Sequence, residues 1–157
     1  MKKYLFIIFL FACFSIRSQD EKEQLKIYSF QEVEKLHQQK SKPIMVFIYT
    51  DWCKICLGMK KNVFKNKTIV KKLNTDFYFI KLNAEEKKDI TFFNKKFSYK
   101  PTGNNTGIHE LAKELASLEG NISYPTTVFL NNNFEIILQI NNYLSKQKLL
   151  SILKKIH

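Results

Sequence analysis

The chain has a single arginine, Arg17, among 26 basic residues in a length of 157. Arginine's planar guanidinium is the group that grips phosphates and guanine edges through two bonds at once. A protein that carries nearly all of its positive charge on lysine is a poor reader of nucleic acid. Its formal charge of +12 therefore reads as a solvated lysine surface, or as attraction to an acidic protein. Cysteine is scarce as well, with only Cys13, Cys53 and Cys56. There is no second C-x-x-C, and two thiols fall short of a structural zinc set. His37, His109 and His157 stand far apart and read as surface residues. Cys53, Cys56 and Met59 are soft enough for Cu(I), but two helical steps of three turn Met59 about 120° away from Cys53. Met59 reads as core, and no metal or cofactor is expected. Long apolar runs are missing too: residues 4–14 are apolar but too few to cross a bilayer as a helix. With 45% hydrophobic and 25% charged residues, the composition is that of an ordinary globular protein with room for one core.

The N-terminus has the layout of a targeting segment. Lys2 and Lys3 precede the apolar residues 4–14, and Ser15-Ile16-Arg17-Ser18 leads into a polar run. Residues 1–18 are read as a signal peptide. Its removal takes away Lys2, Lys3 and Arg17 but no acid, lowering the charge from +12 by three to +9. It also leaves Cys53 and Cys56 as an even pair. The rival reading takes Leu10-Phe11-Ala12-Cys13 as a lipobox, with a membrane anchor on lipidated Cys13. Either way the pair is exported, most simply to the periplasm, where it is oxidised or kept reduced by a dedicated donor.

Residues 19–29 read as a linker or loose first strand, anchored by Ile27 and Tyr28. Ser29 should cap a helix over Phe30–Gln39, with Glu32 completing a capping box. Pro43 opens Ile44–Tyr49, apolar on both faces like a central parallel strand. A helix is expected over residues 53–66, a short turn over 68–74 and a buried strand over 77–82, a right-handed βαβ arrangement. Ile90–Phe92 and residues 97–99 predict a hairpin around Asn94-Lys95-Lys96. Residues 101–107 read as a loop, and residues 108–118 as a helix stopped by Gly120. Together residues 85–121 form an insertion, either a partner groove or scaffold. Residues 128–130 make a third buried strand, Asn131-Asn132-Asn133 a turn, residues 135–140 an antiparallel return, and residues 144–156 an amphipathic helix.

Asp51-Trp52-Cys53-Lys54-Ile55-Cys56 occupies the junction between the first strand and its helix. Unpaired N–H groups and the helix dipole there favour an anion. Cys53 should ionise more easily than a free thiol, and Lys54 adds a positive charge beside it. Cys56, one turn in, faces the same side and can close a disulfide with Cys53. An inert structural disulfide is the alternative, but a loop this short constrains the unfolded chain little.

Trp52-Cys53-Lys54-Ile55-Cys56, together with Tyr124-Pro125-Thr126, resembles the active-site segments of the thioredoxin superfamily. Residues 77–86 are similar to one branch of it, the bacterial exported domains akin to the C-terminal domain of DsbD. The resemblance covers residues 30–157. It implies an α/β thioredoxin-like fold: a central mixed sheet, helices on both faces, and an inserted hairpin plus helix before a cis proline, Pro125. It implies that Cys53 attacks a substrate disulfide, that Cys56 resolves the mixed disulfide, that Trp52 shields the site and that Lys54 steadies the thiolate. The backbone of Tyr124 would pair with an extended substrate. The implied partners are protein dithiols or disulfides and a membrane electron donor of the DsbD type. Two departures stand out. Phe47 occupies the place of the family's buried aspartate, with Asp51 too near the turn to replace it and Glu85 or Glu86 as substitutes. Lys54-Ile55 replaces Gly-Pro. The expected function is an exported thiol–disulfide oxidoreductase that reduces protein disulfides. The alternatives are a disulfide oxidase or isomerase, or a non-catalytic binding module.

Overall fold

The computed structural model describes residues 23–156; the segment 1–18, Cys13 and His157 lie outside the described residues. The first helix, α1 (Phe30–Gln39), starts where its capping box dictates. The Ser29 hydroxyl accepts the Glu32 N–H at 3.2 Å, and the Glu32 carboxylate accepts the Ser29 N–H at 2.7 Å. Then come β1 (Ile44–Tyr49), α2 (Lys54–Asn62), α3 (Lys67–Asp76) and β2 (Tyr78–Asn83). Two small hairpins follow, β3 (Ile90–Phe92) with β4 (Lys95–Phe97), and β5 (Tyr99–Pro101) with β6 (Gly107–His109). The chain ends with α4 (Glu110–Ala116), β7 (Thr126–Leu130), β8 (Ile136–Asn141) and α5 (Lys146–Ile156).

The main sheet has the order β2-β1-β7-β8. β1 and β2 are parallel, while β7 is antiparallel to both β1 and β8. Because successive strand residues point to opposite faces, β1 divides its apolar run between two cores. Ile44, Val46 and Ile48 meet Phe30 and Val33 of α1 and Leu111, Ala112 and Leu115 of α4. Met45 and Phe47 meet Cys56 and Met59 of α2, Ile69 and Leu73 of α3, and Leu149 and Leu153 of α5. Helices thus cover both faces, and both cysteines belong to the second core. Each fully buried ring in it, such as Phe47, Phe79 or Phe129, contributes roughly 1.5–3 kcal/mol of transfer free energy.

Several expected boundaries move. α2 stops at Asn62, not at residue 66, because the Val63 and Phe64 N–H groups both turn onto the Met59 carbonyl. The Asn66 side chain then accepts the Ile69 N–H at 3.2 Å and starts α3 afresh. The first hairpin pairs Ile90–Phe92 with Lys95–Phe97, and its turn is Phe93-Asn94, both at positive φ (50° and 57°). Left-handed backbone is costly for a bulky residue. It is held here by the Phe93 ring against Phe92 and Phe134, at 4.5 and 4.6 Å between centroids, and by the Phe93 N–H donating to Glu34. Residues 97–99 do not form one strand; Tyr99 instead pairs with His109. The expected loop 101–107 yields its two ends to that second hairpin. Gly107 has to be glycine, since a Cβ there would fall 2.3 Å from the Tyr99 hydroxyl oxygen.

His109 is a correction. It is fully buried, not a surface residue. Its N–H donates to the Ala84 carbonyl at 2.7 Å, and its Nδ1 accepts the Leu111 N–H at 3.2 Å, capping α4. This cap is why α4 begins at Glu110 and not at residue 108. Of the two anchors expected before α1, Tyr28 holds: its N–H donates to the Phe79 carbonyl at 2.9 Å, and it bridges in parallel to Ile80. Ile27 stays 51% exposed.

Candidate active site

The carboxyl ends of β1 and β2 lie side by side, with Tyr49 opposite Asn83. The Ala84 N–H extends that pairing to the Tyr49 carbonyl at 2.7 Å. Thr50, Asp51 and Trp52 turn the chain from β1 into α2, and Cys53 stands at the helix N-cap. Cys53 and Cys56 are joined by a disulfide, with Cα atoms 5.2 Å apart. The Cys56 backbone N–H points at Cys53 Sγ from 3.1 Å. An N–H of the first helical turn is thus already aimed at the sulfur that would bear charge when the pair is reduced. Cys53 is 6% exposed and Cys56 is fully buried. An incoming group can therefore reach only the first sulfur.

The other residues singled out from the sequence fall into two groups. Trp52 and Tyr124 come together edge to face, with ring centroids 6.1 Å apart. Tyr124 packs on the core that holds both cysteines, and the Tyr124–Pro125 bond is cis. Lys54, the first residue of α2, is exposed. Trp52 is 67% exposed. It is tethered, its indole N–H donating to Glu85 Oε1 at 3.0 Å.

Glu85 is held in turn. Asn83 Oδ1 accepts the Glu85 N–H at 3.0 Å, and the Asn83 amide donates to Asp51 at 3.0 Å. Half-burial and then the negative charge of Glu85 push the Tyr124 hydroxyl pKa up. The Glu86 carboxylate accepts the Lys88 N–H at 3.0 Å. Sequence reasoning missed the cation beside this turn: Lys60 Nζ lies 3.2 Å from the centre of the Tyr49 ring and 3.9 Å from Asp51. Burial, followed by the neighbouring Lys81, lowers the Lys60 pKa, against the pull of Asp51. Phe47 is fully buried and packs edge-on against Phe64 at 4.9 Å, so an aromatic ring fills the position expected of an acid. Among the described residues no group of three or more His, Cys, Asp or Glu could hold a metal ion. No described helix is long and apolar enough to cross a membrane.

Comparison with known proteins bears on this arrangement. The family described as "Thioredoxin-like domain" matches residues 30–157. A search of curated protein sequences found no match. Among solved structures, the DsbH oxidoreductase superposes with a TM-score of 0.60 at 16% identity, over 90% of this chain and 90% of its own. A thioredoxin from Thermus thermophilus gives 0.59 at 19% identity, over 84% and 86%. The C-terminal domain of DsbD from Neisseria meningitidis, in its reduced form, gives 0.55 at 11%, over 81% and 92%. Identities this low carry the fold alone. With the family match, they agree with the mixed sheet and its two helical layers.

Proposed function

The chain belongs to the thioredoxin-like domain family, and we propose that it is an exported thiol–disulfide oxidoreductase that reduces protein disulfides through Cys53 and Cys56. The observation that carries this reading is the Cys53 sulfur at the N-cap of α2, facing the Cys56 N–H at 3.1 Å, with its partner sulfur buried behind it. Cys53 as thiolate attacks one sulfur of the substrate disulfide and forms a mixed disulfide, and the other substrate sulfur leaves as a thiolate. Cys56 gives up its proton and attacks Cys53, closing the 53–56 disulfide and releasing the second substrate thiolate. Two electrons pass from the dithiol to the substrate. A donor of the DsbD type, at the membrane, restores the dithiol. Lys54 supports the thiolate, and the Tyr124 backbone beside cis-Pro125 pairs with the substrate chain.

The domain plan is part of the proposal: a signal peptide over residues 1–18, a linker to residue 29 and one redox domain over 30–157, with 85–121 inserted. The lipobox around Cys13 gives the anchored variant of the same export. Reduction is favoured over oxidation by the resemblance of residues 77–86 to the DsbD-type domains.

Replacing the resolving thiol tests the mechanism. Cys56→Ser should accumulate a mixed disulfide with a disulfide-bonded protein such as insulin, seen as an added mass that dithiothreitol removes. Cys53→Ser should give none. Equal trapping by both variants, or by neither, contradicts the assigned roles and favours a binding module.

A further inference from the structure

β2 carries a lysine on a face that helices cover. Phe79 lies in the core beneath α2 and α3, and Lys81, two residues further along the strand, points to the same side. Its side chain is half-buried, and its ammonium stands 5.5 Å from the centre of the Tyr49 ring. Lys60 of α2, also half-buried, stands over that ring at 3.2 Å. Two cations thus share one aromatic ring. Each raises the other's energy, Lys81 being the second cause, after burial, of the lowered Lys60 pKa. Among the described residues Asp51, 3.9 Å from Lys60, is the one carboxylate that pairs with either, and its own side chain is largely exposed.

Both lysines border a cavity of about 430 Å³, set between α2, the start of α3 and residues 23–27, which lead into Tyr28 at the edge of β2. Lys65 adds a further cation to its lining. Among the described lining residues the one acid is Glu23, whose carboxylate accepts the Asn74 amide at 2.8 Å. Leu25, Phe64 and Val70 give the cavity an apolar wall, and the first two are anchored in the second core. The volume is at the small end of the range for small-molecule sites, about 300–1,000 Å³. Cations drawn away from water are costly unless paired. An anion between Lys60 and Lys81 would relieve both, and the apolar wall asks that the anion carry an apolar body.

We propose that this cavity binds a small amphipathic anion, a carboxylate or phosphate head on a short apolar body, with Lys60 and Lys81 holding the head and Leu25, Phe64 and Val70 the body. The inference stands independently of the redox reading above. It does place the ligand near that chemistry. Lys60 pairs with one oxygen of Asp51, and the other accepts the Asn83 amide at 3.0 Å. The head group therefore sits one contact away from the turn that leads to Cys53.

The test is equilibrium dialysis of the full chain, disulfide intact, against radiolabelled octanoate, acetate and octanol, with flotation on phosphatidylglycerol vesicles alongside. The native protein should take up octanoate saturably, one per chain. Acetate lacks the body and octanol the charge, so each should bind at least about tenfold more weakly. Lys60→Gln and Lys81→Gln should each weaken octanoate about tenfold. Lys113→Gln removes the same charge from α4, on the other face of the sheet, and should leave binding unchanged. The two site variants are independent, so the test stands if one of them folds poorly. No saturable uptake of octanoate overturns the site. Equal losses in all three variants would mean attraction to overall charge, and octanol bound as tightly as octanoate a plain apolar groove; either contradicts the proposal. Binding to the vesicles without binding of free octanoate would assign these lysines to a membrane surface and overturn it as well.

Discussion

The tether between Trp52 and Glu85 is the contact in the site whose strength follows most directly from its geometry. A hydrogen bond to a charged group is worth roughly 1.5–3 kcal/mol. Trp52 is 67% exposed, and water competes for its indole N–H, so about 1 kcal/mol is the reasonable figure. A double-mutant cycle isolates it. Trp52→Phe removes the donor, Glu85→Gln keeps a weaker neutral acceptor, and the double variant completes the square. Urea unfolding, followed by circular dichroism so that loss of the indole does not matter, should give a coupling energy of about 1 kcal/mol. For a chain of this size that corresponds to about 2–4 °C in Tm. Glu85→Gln should also lower the Tyr124 pKa, because the Glu85 charge is one of the two causes that raise it. A coupling energy below about 0.3 kcal/mol, within the scatter for independent sites, would refute the tether. Trp52 would then be a free surface ring.

Two further perturbations probe the scaffold behind the site. Phe47→Ala empties a fully buried ring position in the core that holds both cysteines and should cost about 3–5 kcal/mol in urea unfolding; a loss under about 1 kcal/mol would mean that the ring is not packed as described. Ser29→Ala should cost about 1 kcal/mol through loss of the α1 cap. The Glu32 carboxyl is held below its ordinary value by the Ser29 backbone N–H and then by its hydroxyl. A depressed carboxyl stabilises the fold above its unfolded pKa, and that contribution fades as pH falls through the lower folded value. The gap between native and Ser29→Ala melting temperatures should therefore be widest near neutrality and narrow in acid. A gap that widens in acid contradicts the capping box.

What could be read from the sequence was local. Ser29 with Glu32 marks a helix start within four residues, and Ile44–Tyr49 is apolar on both faces because both faces are covered. Cys53 and Cys56 announce themselves by spacing. What escaped depended on distant partners. The apolar rhythm of α2 continues through Val63 and Phe64 because both residues stay buried after the helix has ended. Nothing local to Phe93 marks it as a turn residue; rings from Phe92 and Phe134 hold it there. His109 looked like a surface residue until Ala84 and Tyr99 were placed against it. The contact made by Glu85 escaped as well, because its partner, the indole of Trp52, lies 33 positions earlier.

Trp52 is the only tryptophan in the chain and adjoins the disulfide, so its fluorescence can report the redox state of the pair. Equilibrating the full protein against graded glutathione and dithiothreitol buffers while following Trp52 gives the potential of Cys53 and Cys56. Each 30 mV is worth about 1.4 kcal/mol for this two-electron couple. The account of an exported reductase predicts a value near that of thioredoxin, about −270 mV. A value near −120 mV, that of a strong oxidant, or a pair that does not exchange at all, would contradict it.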